Sequence, residues 1–162
     1  MSVNHSLLPI SGGELASLLA DPASVRELVE KRNADVCPLW KEGLAISALT
    51  ASAEDDPLTF LQSGAPEAVS GSVGDVDMGY GPASYYRNAF VVEVARRLQP
   101  WTVEAFAKDI DLDWLDENNV YPGYWRSDRD ARRKMLIDRF TAFRECVMST
   151  AAVGKHLLVW NH

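Results

Sequence analysis

Residues 127–161 read SDRDARRKMLIDRFTAFRECVMSTAAVGKHLLVWN. Within this stretch, apolar side chains recur at steps of four, three and four, which places them on one helical face: Leu136, Phe140, Phe143 and Val147. We expect a helix from about Asp128 to Ala152, with Ser127 as its N-cap and Gly154 at its C-terminal end. The apolar run that follows, residues 155–161, predicts a closing β-strand.

The start of the chain predicts a second strand. Residues 3–10 end in a short apolar run. Ser11 and Glu14, which come next, match the capping box of a following helix. Helical periodicity returns in residues 88–98. We therefore predict an α+β fold in which a single, mostly helical domain, residues 1–162, packs on a small sheet. The N- and C-terminal strands are expected to pair side by side in that sheet.

Two internal segments give weaker patterns. Cys37-Pro38 interrupts the chain, and a helix is expected over residues 39–49, with Trp40 available for burial. Residues 63–82 are rich in glycine and show neither a helical nor a strand period. A long loop is predicted there, and loops of that length are usually functional or mobile.

Composition narrows the class of partner. The chain has 162 residues, a net charge of −7 and a pI of about 4.9. An acidic surface argues against binding to nucleic acid or to an anionic membrane, and it favours a basic partner. No apolar run reaches the roughly 18 residues that a membrane-spanning helix needs. Two isolated cysteines and the lack of a signal-peptide pattern predict a cytoplasmic protein with reduced thiols.

All five tyrosines lie in two short stretches that also contain glycine and proline, GYGPASYY at 79–86 and VYPGYW at 120–125. Both are predicted as turns that precede helices. Tyrosine combines a flat apolar ring with a polar tip, and loops often carry function. The candidate binding residues are Tyr80, Tyr85, Tyr86, Arg87, Tyr121, Tyr124 and Trp125. Alternatively, these stretches are packed turns whose hydroxyls bond to the backbone.

Acidic residues provide a further candidate. Asp109, Asp111 and Asp113 alternate as at the start of a calcium-binding EF-hand loop. Trp114 replaces the required glycine and Val120 the required glutamate, so no metal site is predicted. The wider stretch 104–117 is either a solvated face or a docking patch for a basic partner.

The chain contains none of the common catalytic or cofactor signatures, such as HExxH, GxSxG or a phosphate-binding glycine loop. No catalytic residue and no cofactor are predicted. The leading hypothesis is a protein that binds another protein, in particular an immunity protein that neutralises a basic toxin domain. The alternative is a small-ligand binder or an enzyme, with a pocket between the 79–87 and 120–126 segments.

The order of the segments resembles the YfbM-like family, small bacterial proteins of unknown function. The resemblance rests on an expected helix that contains Trp40, YGPA at 80–83, the helix over 88–98, VYP at 120–122 followed by Trp125, and the final helix and strand. It implies an α+β fold and a soluble bacterial protein. Family members often carry arginine where Ser84 stands and histidine near Ala45 and Ile46. These departures favour binding over catalysis in this chain.

Overall fold

A five-stranded antiparallel sheet lies at the centre of the computed structural model, which describes residues 4–162. Its strands are β1 (His5–Ile10), β2 (Cys37–Trp40), β3 (Ser70–Asp77), β4 (Pro82–Tyr86) and β5 (His156–Asn161). They are arranged in the order β2-β1-β5-β4-β3, and each neighbouring pair is antiparallel. The predicted α+β fold is confirmed.

The two terminal strands pair side by side, as predicted. β1 and β5 run in continuous register, with Leu7 opposite Val159 and Leu8 opposite Leu158. Beyond the strands, Asn4 and His162 exchange two backbone hydrogen bonds of 3.0 Å. Both ends of the described chain are therefore tied into the middle of the sheet.

Helices cover both faces of the sheet. Those of residues 4–162 are α1 (Gly12–Ala20), α2 (Val25–Lys31), α3 (Glu42–Thr50), α4 (Phe60–Ser63), α5 (Asn88–Leu98), α6 (Val103–Asp109), α7 (Leu112–Glu117) and α8 (Arg129–Ala152). Helices α1 and α2 pack on one face around Leu15, Leu18 and Val25. Helices α3 to α8 supply the larger core on the other face.

Coverage of both faces explains why the central strands are apolar at consecutive positions. Successive side chains of a strand point to opposite faces. Leu7 and Val159 enter the larger core, whereas Leu8 and Leu158 enter the smaller one. A strand buried on both sides reads as a continuous apolar run, which is the pattern that predicted β1 and β5.

Helix α8 closely follows its sequence pattern. The predicted stripe is buried at all four positions, Leu136, Phe140, Phe143 and Val147. Phe140 stacks on Phe106 of α6 with ring centroids 4.0 Å apart. The predicted N-cap is wrong, because the Ser127 hydroxyl donates to the Tyr124 carbonyl at 2.6 Å and the helix begins after Asp128. Gly154 has a positive φ of 71° just beyond the helix, as its position suggested.

The helix predicted at 39–49 is wrong in its first part. Residues Cys37–Trp40 form β2, an edge strand paired with β1, and the helix starts only at Glu42. Trp40 has a φ of 53°, outside the helical range, so it ends the strand with a sharp change of direction. Pro38 is accommodated because edge strands need fewer backbone donors.

The loop predicted at 63–82 contains the opposite edge strand, β3, and the predicted turn at 79–86 includes β4. Pairing of Gly71 with Tyr85 shows why the pattern failed. A Cβ on Gly71 would lie 2.7 Å from the Tyr85 hydroxyl oxygen, so the missing side chain makes room for the cross-strand ring. Val73 is the buried anchor of this glycine-rich strand.

Candidate functional site

The first tyrosine segment is divided between two ends of the sheet. Tyr80 precedes β4, is 41% exposed, and its backbone N–H donates to the Asn161 carbonyl at 3.1 Å. Arg87 follows the opposite end of β4, where its guanidinium lies 5.5 Å from the centroid of the Tyr85 ring. The residues of this segment therefore do not converge on one pocket.

Tyr86 belongs to the core. Its ring packs edge-on against Phe60 and stacks on Phe90, and its hydroxyl donates to the Phe60 carbonyl at 3.3 Å. Burial raises the pKa of Tyr86 to about 12, so its hydroxyl remains protonated near neutral pH. This is the arrangement that the alternative interpretation of a packed segment predicts.

The second tyrosine segment combines a buried anchor with an exposed neighbour. The Trp125 indole is fully buried, and its Nε1–H donates to the Val120 carbonyl at 2.8 Å. Tyr124, the preceding residue, is 80% exposed. The carboxylate of Asp116 in α7 accepts the backbone N–H groups of Trp125 and Arg126 at 2.8 and 2.9 Å. Helix α7 and the segment are therefore joined into one unit.

Arginines from the segment and from α8 neutralise part of the acidic stretch. Asp113 accepts from Arg129 at 2.8 Å and from Arg126 at 2.9 Å. The hydrogen bond from Arg129, together with the charges of both arginines, lowers the pKa of Asp113. Arg126 also reaches Glu117 at 2.9 Å. The stretch is thus a mixed-charge network rather than a uniformly negative patch.

The other two predicted acidic residues have simpler surroundings. The Asp111 carboxylate accepts the Trp114 N–H at 2.9 Å and so caps α7. Asp109 is exposed at the end of α6. Within residues 4–162, no three His, Cys, Asp or Glu side chains are grouped so that they could hold a metal ion.

We define the α7 surface as the exposed and half-exposed side chains of residues 109–129. It contains half of the ten candidate binding residues that the sequence singled out, namely Asp109, Asp111, Asp113, Tyr121 and Tyr124, together with Trp114, Glu117, Arg126 and Arg129. Trp114 is 40% exposed. Sequence reasoning had used this tryptophan only as an argument against calcium, although its place among acidic residues of a short helix signals an exposed ring.

A cleft of about 630 Å³ lies beside the α7 surface at the end of the sheet where β1 begins and β5 ends. Its polar lining comprises His5, Gln62, Asn118, Asn119, Tyr121 and Asn161, and its apolar lining comprises Leu44, Ala48, Leu61 and Val120. We call it the His5 cleft. Of the candidate binding residues predicted in the two tyrosine segments, Tyr121 lines this cleft.

Two buried polar atoms of the cleft residues have no hydrogen-bond partner within residues 4–162, the His5 Nδ1 and the Asn161 Oδ1. Burial lowers the pKa of His5, although the nearby Trp40 and Leu61 carbonyls oppose the shift, so the ring is neutral near pH 7. Sequence reasoning missed both residues. The predicted pairing of the terminal strands could have pointed to them, because in the observed register of β1 and β5 His5 lies opposite Asn161.

The fold, together with the α7 surface and the His5 cleft, defines a small α+β protein whose antiparallel sheet is covered by helices on both faces. The chain belongs to the family described as domain of unknown function DUF1877, whose model matches residues 1–160. The predicted resemblance to the YfbM-like family is thereby confirmed.

A solved structure agrees with this assignment. The crystal structure of YfbM from Escherichia coli, described as a protein of unknown function, is similar to the chain with a TM-score of 0.63 and 14% identity. The match covers 100% of both chains, and at this identity it shows the fold alone. No curated protein matches the chain. Within residues 4–162, no helix is both long and apolar enough to cross a membrane.

Proposed function

We propose that the chain is a non-enzymatic protein that binds a basic protein domain through the α7 surface. The observation that carries this proposal is the pairing of neighbours Tyr124 and Trp125, one 80% exposed and the other fully buried. Tyrosine, tryptophan and arginine supply most of the binding energy at protein interfaces. Tyr124, Trp114, Arg126 and Arg129 provide these residue types within one short unit.

The unit is held in place before any partner arrives. The buried Trp125 indole anchors the segment, Asp116 holds two of its backbone N–H groups, and the arginines bind Asp113. A preorganised surface binds more tightly because fewer side chains and loops lose freedom on association. This fixed geometry supports a binding role for residues that would otherwise be mobile on a surface loop.

Charge supports a basic partner. The net charge of −7 attracts positively charged proteins and speeds their encounter with the chain. Asp109 and Asp111 contribute exposed carboxylates to the α7 surface. The arginines in the same surface favour a partner that also offers one or more carboxylates, so the match is a pattern of charges rather than a single sign.

The proposal includes the nature of the partner, a bacterial toxin domain that the chain neutralises as its immunity protein. A small, acidic, preorganised binder suits the task of covering a basic toxin surface. The proposal places this encounter in the cytoplasm, where Cys37 and Cys146, which are unpaired in the structure, remain reduced.

The tagged chain should recover a basic protein in stoichiometric amount from cells of the organism that carries its gene. A toxin gene is expected beside the gene for this chain. Isothermal titration with the recovered partner then gives the affinity. If neither a stoichiometric partner nor a neighbouring toxin gene is found, the proposal is wrong.

Tyr124→Ala and Trp114→Ala are each expected to weaken binding of that partner by about 10- to 100-fold, because hot-spot aromatics contribute roughly 1–3 kcal/mol or more. Leu19→Ala is the matched control, since Leu19 is similarly exposed at 42% but lies in α1, on the opposite face of the sheet. If the Leu19 variant weakens binding as much as the other two, the interface lies elsewhere.

A second candidate function is the binding of a small polar ligand in the His5 cleft. The unpartnered His5 Nδ1 and Asn161 Oδ1 favour it, because buried polar atoms in native proteins are usually satisfied. A neutral imidazole and an amide suit an uncharged ligand with both donors and acceptors, such as an amide or a polyhydroxyl compound.

Thermal unfolding in the presence of mixtures of small polar metabolites tests this candidate. A ligand at 100 times its Kd should stabilise the chain by about 2.7 kcal/mol. Asn161→Leu is expected to abolish the shift, whereas Tyr124→Ala, outside the cleft, should keep it. No shift with any polar mixture would argue against the cleft and would leave the proposed α7 interface untouched.

A further inference from the structure

The fold brings together the two cysteines of the chain, which the sequence suggested were isolated. Cys37 begins the edge strand β2, and Cys146 lies on α8, far away in sequence. Each thiol lies close enough to the other to shift its pKa. Both side chains are half-buried against the larger core, so neither is shut off from solvent.

Arg139 sits beside the pair, two helical turns before Cys146 on α8. Its Nη1 lies 3.4 Å from the Pro38 carbonyl, and its guanidinium lies 5.8 Å from the centroid of the Trp40 ring. The arginine therefore packs along β2, next to Cys37. The Arg139 Nε, also buried, has no hydrogen-bond partner within the described residues 4–162.

The two thiols are not equivalent. The neighbouring Cys146 thiol lowers the pKa of Cys37 and burial opposes this, while the charge of Arg139 adds to the lowering and that of Glu145 opposes it. The neighbouring Cys37 thiol and burial raise the pKa of Cys146. Because the positive charge of Arg139 lies on the Cys37 side of the pair, Cys37 is the better nucleophile of the two.

We propose that Cys37 and Cys146 form a reversible disulfide bond when the chain meets hydrogen peroxide. The inference stands on the packing of β2 against α8, which brings the two cysteines together, and on the position of Arg139 along β2. It is independent of the proposed binding function. Cytosolic disulfides are commonly transient and redox-sensing, and this pair fits that use.

The reaction balances without another reagent. The Cys37 thiol first gives up its proton, and the resulting thiolate attacks one peroxide oxygen. The O–O bond breaks, and the hydroxide that leaves takes up that proton to form water. The Cys146 sulfur then attacks the Cys37 sulfenic acid, the S–S bond forms and the S–O bond breaks. The second hydroxide leaves with the Cys146 proton as water. The two sulfurs together lose two electrons, and the peroxide gains them.

The bond would connect β2 to α8, which contributes four buried side chains to the larger core. Cross-linking two positions so far apart in sequence removes much freedom from the unfolded chain. For a domain of this size, the midpoint of thermal unfolding is expected to rise by about 10 °C. That rise gives the proposal a readout that sulfur oxidation alone would not produce.

Intact-mass measurement of the full reduced chain, before and after a small excess of peroxide, tests the proposal. The wild-type monomer should lose about 2 Da and show the rise in thermal midpoint, and dithiothreitol should reverse both. Cys146→Ser should instead gain about 16 Da, the mass of one oxygen on Cys37, with no such rise.

Two results would overturn the proposal. One is a wild-type monomer that keeps its mass or gains oxygen without losing hydrogen. The other is a disulfide that appears only between two chains, which non-reducing electrophoresis detects. The wild-type measurement needs no substitution, so the test holds even if a serine variant fails to fold.

Discussion

Trp125→Ala should lower the free energy of unfolding by about 4 kcal/mol, within the range of roughly 3–5 kcal/mol for removing a buried aromatic side chain. The indole is fully buried in the larger core and donates to the Val120 carbonyl at 2.8 Å. Alanine leaves a cavity and an unpaired carbonyl, and each has a cost. Urea denaturation at neutral pH measures the loss.

Trp114→Ala is the matched control, because it removes the same side chain from the same unit at a position that is 40% exposed. We expect it to cost less than about 1 kcal/mol. Trp125→Phe should fall between the two, since a phenyl ring fills part of the indole's volume, while the remaining part of the bicyclic ring and its N–H are lost. Equal losses for Trp125→Ala and Trp114→Ala would contradict the buried placement of Trp125.

This comparison also separates stability from binding. Trp125→Ala should weaken partner binding only through disorder of the segment that presents Tyr124. Trp114→Ala should weaken binding while leaving stability nearly unchanged. The two tryptophans, eleven positions apart, thus have opposite expected effects, and both effects can be measured on the same pair of proteins.

Asp56→Ala should lower the free energy of unfolding by about 3 kcal/mol near neutral pH, because it removes a buried carboxylate that accepts several hydrogen bonds. Asp56 is 4% exposed and accepts from the Leu58 N–H at 3.0 Å, from the Ser52 N–H and hydroxyl at 3.1 and 2.8 Å, and from Arg97 at 3.2 Å. These groups hold the turn between α3 and α4. Without Asp56, the buried Leu58 N–H has lost its acceptor.

The effect should depend on pH in a defined direction. Burial would raise the pKa of Asp56, but the hydrogen bonds from Leu58 and Ser52 and the charge of Arg97 outweigh it and lower the pKa below 3.8. A carboxyl with a depressed folded pKa stabilises the fold above its unfolded pKa, and this stabilisation is lost as the pH falls through the folded value. The window therefore lies below about pH 4.

Urea denaturation at about pH 7 and at about pH 2 measures this dependence. The difference between wild type and Asp56→Ala should shrink in acid. The exposed neighbour Asp55 provides the control, and Asp55→Ala should stay close to wild type at both values. A gap that stays constant across this range would show that the ionised carboxylate is not what stabilises the turn.

Local patterns were reliable where they marked a buried stripe, a central strand or a helix cap. The α8 stripe, the Ser11–Glu14 capping box and the terminal strands are all present as predicted. In each case the signal is a periodicity or a cap that acts within a few residues. The same reasoning found the helix Asn88–Leu98 with its buried face.

The edge strands were missed for a physical reason. β2 is four residues long, and β3 is built from glycine, serine, aspartate and valine. Neither has the apolar alternation that marks a strand in sequence. Their extended conformation depends on backbone hydrogen bonds to β1 and β4, which become available only after the chain has folded back on itself.

By itself, the sequence determined the α+β class, the long helix, the paired terminal strands and the two stretches in which all tyrosines lie. It could not decide which of those aromatic side chains face solvent. Tyr124 and Trp125 are adjacent, yet one is 80% exposed and the other is fully buried. Likewise, Cys37 and Cys146, or His5 and Asn161, become neighbours only through the sheet and its packing on α8. Exposure and proximity depend on contacts between distant segments, and no local pattern encodes them.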